Sequence, residues 1–124
     1  MATSPHPTDI KYSRQDRVLT VVFNTDEQFD LSAEFLRVHS PSAEVRGHGR
    51  GQEVLQTGKE DVAIDAIEPI GNYAVRLLFD DGHSTGLYSF SELHRLGSRR
   101  DELWQSYLEQ LEQAGVQRRV DASS

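Results

Sequence analysis

The chain contains no cysteine, only four prolines among 124 residues, one tryptophan and one methionine. Without cysteine there are no disulfides, no thiolate nucleophiles and no thiolate metal cages, so nothing in the fold depends on redox state. Positive charge is also scarce. Thirteen Lys and Arg face twenty Asp and Glu, a formal charge of −7, which over most of the surface repels nucleic-acid phosphate and anionic lipid. The expectation is no nucleic-acid partner and no membrane partner. Long apolar runs are missing too: nothing approaches the length of a membrane span, and the opening Met1 to Pro7 lacks the basic and apolar regions of a secretory signal, so the expected address is the cytoplasm. No Gly-x-Ser-x-Gly elbow occurs, which leaves nucleophilic catalysis without its usual carrier.

What is present fits one modest core, since 36% of the residues are hydrophobic. The strongest local signal is Asp81-Gly82, flanked by Asn72 to Phe79 and by Thr85 to Phe90. Asp-Gly favours the left-handed backbone of a two-residue turn, so these runs are expected to pair with Phe79 opposite Ser84, Leu77 opposite Gly86 and Val75 opposite Tyr88. Asp80 then faces His83 at the tip. A first hairpin is expected from Val18 to Phe23, the turn formers Asn24 to Glu27, and Phe29-Asp30-Leu31; Val62 to Ile67 reads as a further strand, with Pro69 to Asn72 turning the chain.

Helix signals are equally local. Ser32 is a candidate N-cap for Ala33 to Val38, with Phe35 and Leu36 inward, and Ser89 or Ser91 for a short helix through Leu93 to Leu96 that Gly97 ends. Leu103, Trp104, Tyr107, Leu108 and Leu111 form one apolar stripe at three-and-four spacing, with Asp101 and Glu102 in its first turn and Gly115 at its C-cap. The fold expected is therefore α+β: a small antiparallel sheet domain with short helices and a C-terminal amphipathic helix packed on the sheet. Residues 1–16 read as a flexible arm in which Ile10 and Tyr12 alone suggest an edge strand, 17–115 as the single domain, 40–61 as a mobile glycine-containing loop, and 116–124 as a flexible tail.

The order of several short motifs is more specific than any one of them. Leu36-Arg37, then Ser40 to Val45, then Ile67-Glu68-Pro69-Ile70-Gly71-Asn72-Tyr73, then Asp80-Asp81-Gly82-His83 followed by Tyr88-Ser89-Phe90 and Leu93 resembles the gamma-butyrobetaine hydroxylase N-terminal-like domain from about Val18 to Gly97. The resemblance implies a small mixed α and β unit, met also as stand-alone bacterial proteins and as an appendage of P-loop ATPases that handle iron–sulfur clusters. In the hydroxylases it implies a structural zinc held by three cysteines and one histidine. By position those ligands fall on Ser40, Ser42, Val45 and His83, of which only the histidine keeps a ligand's chemistry; a neutral hydroxyl and a valine do not replace thiolates, so no tetrahedral zinc site is expected. The oxygenase's iron triad is not expected either, because no His-x-Asp or His-x-Glu follows His6, His39, His48, His83 or His94.

Three chemical candidates remain. Arg46-Gly47-His48-Gly49-Arg50-Gly51 joins positive charge to flexible backbone, a combination suited to a small anion, a carboxylate terminus or an acidic partner segment, although it lacks the lysine and Ser/Thr of a P-loop. Arg46, Gly47, His48, Gly49 and Arg50, with the neighbouring Asp80 and His83, are the expected binding residues of a non-catalytic adaptor with a protein partner and no cofactor. The alternative is an iron or zinc site rebuilt around His83 with His39, His48, Glu44 or Asp80. A small enzyme comes third, since the paired carboxylates Asp80-Asp81, Asp26-Glu27 and Glu60-Asp61 all fall in turns or loops. On the last helix, Trp104 and Tyr107 read first as core; any exposed remainder beside Arg95, Arg99 and Arg100 would form a partner surface.

Overall fold

A computed structural model describes residues 5–41, 55–84 and 86–117. Two three-stranded antiparallel sheets carry the fold. The first has the order β1 (Pro7–Ser13), β2 (Val18–Phe23), β3 (Gln28–Ser32), and the second β4 (Ile64–Ile70), β5 (Ala74–Phe79), β6 (Leu87–Ser89). Helix α1 (Ala33–Val38) follows β3, and α2 (Phe90–Ser98) and α3 (Arg100–Gln113) follow β6. This is the small α+β domain that the residue pattern predicts, divided into two sheets where one was expected.

Alternation builds the core. Along β2, Leu19, Val21 and Phe23 are buried while the residues between them are only half-buried, and Leu19 lies opposite Leu31 of β3. In the second sheet Val75, Leu77 and Phe79 turn inward, with Val75 opposite Tyr88 as the hairpin reading requires. Both sheets, α1 and α2 contribute to one continuous apolar cluster. Burying a Leu or Phe in such a cluster is worth about 1.5–3 kcal/mol, so the cluster is the main favourable term in the fold.

The caps act as their chemistry predicts. Ser32 Oγ accepts from the Phe35 amide at 3.0 Å, and Ser89 Oγ from the Glu92 amide at 3.1 Å. At the end of α3, Gly115 takes φ +72°, its amide donates to the Glu112 carbonyl and the Val116 amide to the Leu111 carbonyl. That pair of bonds is the Schellman closure, and Val116 packs on the small cluster that contains Leu111.

Four expectations need correction. The arm reading fails over residues 7–13, which form β1 along β2 from Pro7 opposite Phe23 to Ser13 opposite Val18. Only Ile10 and Tyr12 of that strand pack on the core, too little alternation to stand out in a polar stretch. Tyr12 also joins the two sheets, its hydroxyl accepting from the Ile64 amide at 3.0 Å.

At the hairpin tip the turn is Asp80-Asp81-Gly82. The Phe79 amide bonds the His83 carbonyl at 2.9 Å and the Gly82 amide bonds the Phe79 carbonyl at 3.1 Å, so His83 rather than Ser84 stands opposite Phe79. A two-residue type I′ turn needs positive φ at both central positions, and here only Gly82 has it.

The strand expected over Val62 to Ile67 runs instead from Ile64 to Ile70 as β4, with Pro69 inside it opposite Val75. Being an edge strand, β4 does not need the missing amide. Finally, Gly97 lies within α2 and does not end it; a Cβ there would come within 2.4 Å of the Phe29 ring, so the glycine serves close helix-to-sheet approach.

Candidate functional site

The tip of the β5–β6 hairpin, the C-terminal end of α1 and the 55–61 stretch meet at one polar cluster. Helix α1 is so enclosed that all six of its residues are buried, charged Glu34 and Arg37 included. Arg37 is balanced by Asp81, whose Oδ2 accepts from Arg37 Nε at 2.9 Å and from Lys59 Nζ at 2.7 Å. The other oxygen, Oδ1, accepts from the His83 amide at 3.1 Å, a local Asx contact that shapes the turn. Burial works to raise the Asp81 carboxyl. The bonds from Lys59 and the His83 amide and the Arg37 charge override it and hold the group at about 2.

Around this carboxylate the bonding continues. Arg37 Nη1 donates to Gln56 Oε1 at 3.0 Å, and the Gln56 carbonyl accepts from the Tyr107 hydroxyl at 2.6 Å, which ties α3 to the cluster. Beside it, Ser40 Oγ and His83 Nε2 lie 2.9 Å apart, with both residues buried. Gly86 presses on this pair: a Cβ there would stand 2.5 Å from Ser40 Oγ. The Tyr88 hydroxyl donates to the Leu36 carbonyl, so the hairpin is bonded to the helix at Leu36 and Arg37 as well as to Ser40 beyond its end.

Of the family ligand positions, the fold thus brings Ser40 and His83 together across 43 residues. Ser42 and Val45 lie outside the described residues, as do Arg46, Gly47, His48, Gly49 and Arg50 and the Glu44 weighed for a rebuilt metal site. The donors present do not fit zinc. Two ligands of one tetrahedral ion, each about 2 Å from it, stand about 3.3 Å apart with the ion between them, whereas the Ser40 hydroxyl and the imidazole are bonded directly. Asp80 is engaged as well, its Oδ1 accepting from the Ala63 amide at 3.1 Å. His39 turns its Nδ1 to the Phe35 carbonyl at 2.9 Å, and burial lowers its pKa. No three His, Cys, Asp or Glu residues gather as a metal set among the described residues.

The other surfaces offer little general acid or base chemistry. Asp30, Asp101 and Glu102 line a shallow polar groove, all three exposed, and the Arg99 guanidinium bonded to Glu102 lowers its pKa. On α3 the Tyr107 ring is buried and Trp104 is half-buried. The arginines expected beside them are paired: Arg95 with Glu92, Arg99 with Glu102, and Arg100 with Asp101 and the Asp30 carbonyl. Sequence reasoning missed Arg37, Lys59, Gln56 and Gly86. Nothing local marks the first three, and only the strand position of Gly86 hinted at a close backbone approach. No helix among the described residues is long and apolar enough to cross a membrane.

Fold and cluster together define a small α+β domain whose polar residues at the hairpin tip are committed to internal bonds. Residues 10–94 match the family described as gamma-butyrobetaine hydroxylase-like, N-terminal, and the chain belongs to that family. A protein solved by NMR in solution is 47% identical, covers 94% of this chain and 92% of its own, and superposes with a TM-score of 0.80. A crystal structure from Acidithiobacillus ferrooxidans, of a DUF971-family protein with unknown function, is 35% identical over 74% of this chain and 92% of its own, at a TM-score of 0.63. The chloroplastic Fe-S cluster assembly factor HCF101 of Oryza sativa subsp. japonica is 35% identical over 80 residues, which are 62% of this chain. The match spans only 15% of that factor's length.

Proposed function

We propose that this chain is a non-catalytic adaptor domain, accessory to an iron–sulfur or metalloenzyme system. One observation carries the reading: a segment alike to this domain occupies a small part of an Fe-S cluster assembly factor, so the same unit occurs as an appendage of a larger protein that does the assembly. An appendage of this size contributes recognition more readily than chemistry. The polar groups of the hairpin tip support it, because Ser40, His83, Asp80 and Asp81 all bond within the fold. Contact with the partner falls to the Arg46 to Gly51 stretch, where arginine and glycine suit an acidic segment or a small anion.

The test is a titration of the isotope-labelled chain with an iron–sulfur assembly ATPase of the P-loop class from the same cell, followed by amide chemical shifts. The expected result is saturable perturbation centred on residues 46–51 and lost in an Arg46→Ala/Arg50→Ala double variant. No perturbation anywhere in the chain at several hundred micromolar ATPase, well above the range of ordinary specific complexes, refutes the adaptor reading.

A further inference from the structure

We infer that Asp81 is the cross-link of this domain, an anion with donors gathered around it, beside the Ser40 and His83 positions on which the resemblance would place two of the zinc ligands. Two segments remote in sequence end on its Oδ2, Arg37 from α1 at 2.9 Å and Lys59 from the stretch before β4 at 2.7 Å, while its Oδ1 accepts from the His83 amide of its own turn at 3.1 Å. Through Arg37 and Gln56 the set reaches Tyr107 of α3. These are the connections a structural metal makes, since an ion staples segments remote in sequence by offering each one bond.

The centre of this cross-link is an anion, and that decides what the fold depends on. A metal cross-link needs deprotonated ligands and a supply of free metal, so it weakens with chelation. A carboxylate cross-link is always loaded; it weakens only with acid, which protonates it, or with salt, which screens its partners. The Arg37 side chain is 8% exposed and that of Asp81 22%, so screening reaches this pair less than it reaches the surface pairs. Next to the carboxylate, Ser40 bonds His83 directly, and the missing side chain of Gly86 leaves the space that the Ser40 hydroxyl occupies. His83, 5% exposed, is thereby a structural group with its Nε2 already taken. The inference concerns folding and stands apart from the adaptor reading, so the two can fail separately.

The experiment uses the full chain in urea, with equimolar zinc or with chelator, together with Asp81→Asn, Arg37→Gln and the double variant. The unfolding midpoint of the wild type is expected to be the same with zinc and with chelator, and the His83 ring nitrogen shifts to be unmoved by zinc. Asp81→Asn is expected to lower the folding equilibrium constant about tenfold, and the double variant to lose less than the product of the two singles. If Asp81→Asn does not fold, Lys59→Met removes one donor and leaves the turn intact; a loss of about threefold supports the inference, and wild-type stability overturns it. Uptake of one zinc per chain with a raised midpoint and shifted His83 nitrogens overturns it as well, as does wild-type stability in Asp81→Asn.

Discussion

Gly97→Ala gives the sharpest test of the packing, because two physical effects predict opposite signs. Residue 97 lies inside helix α2, where alanine is preferred to glycine by about 1 kcal/mol; on propensity alone the change stabilises. Against that, the added methyl would stand 2.4 Å from two atoms of the Phe29 ring and 3.0 Å from its Cβ. Since the Cβ is fixed to strand β3, rotating the ring does not clear the clash completely, and helix and sheet must part. The ring would leave its edge-on contacts with Phe23 and His94, each at 5.8 Å between centroids, which are worth about 0.5–1.5 kcal/mol per pair. Overpacking of this kind costs about 1–3 kcal/mol, so the net expectation is a loss of about 1–2 kcal/mol. Urea unfolding of the full chain measures it. A Phe29→Ala background, which removes the ring and its Cγ, should turn Gly97→Ala neutral or stabilising. Stabilisation by Gly97→Ala in the wild-type background would refute the close-approach account.

Two further tests probe other joints of the fold. Tyr12→Phe leaves the part-buried Ile64 amide without its acceptor and should cost about 1–2 kcal/mol, with faster hydrogen exchange at Ile64 as the specific readout. His39 is held below its ordinary pKa, first by burial, so the unfolded chain binds the proton more readily. Its contribution to stability is complete above about pH 6.5 and declines as pH falls through the histidine range; urea midpoints at pH 7.5 and 5.5 should show a decline that His39→Gln makes shallower, and an equal slope in the variant would sink the assignment.

Much of the architecture was legible because its causes are local. Ser32 and Ser89 act on amides three residues away, the β2–β3 hairpin needs only alternation and turn formers, and Gly115 closes α3 with bonds inside six residues. The resemblance placed the chain in its family by motif order, although each motif alone is short. The site was less legible. His83 and Ser40 were marked as positions that had lost a metal's chemistry, but that they bond one another follows only from the fold.

By itself, then, the amino-acid order determined the α+β class, the β2–β3 hairpin, the pairing of β5 with β6 away from its tip, the caps and the apolar stripe of α3, since each is set by residues close along the chain. Tertiary structure alone decided that residues 7–13 are a strand, that Gly97 is a contact point, and that Arg37 and Lys59 converge on Asp81 from 44 and 22 residues away. The physical reason is the same in each case. A buried charge or an absent side chain takes its meaning from a partner far along the sequence, and no local pattern names that partner until the apolar core has brought the two together.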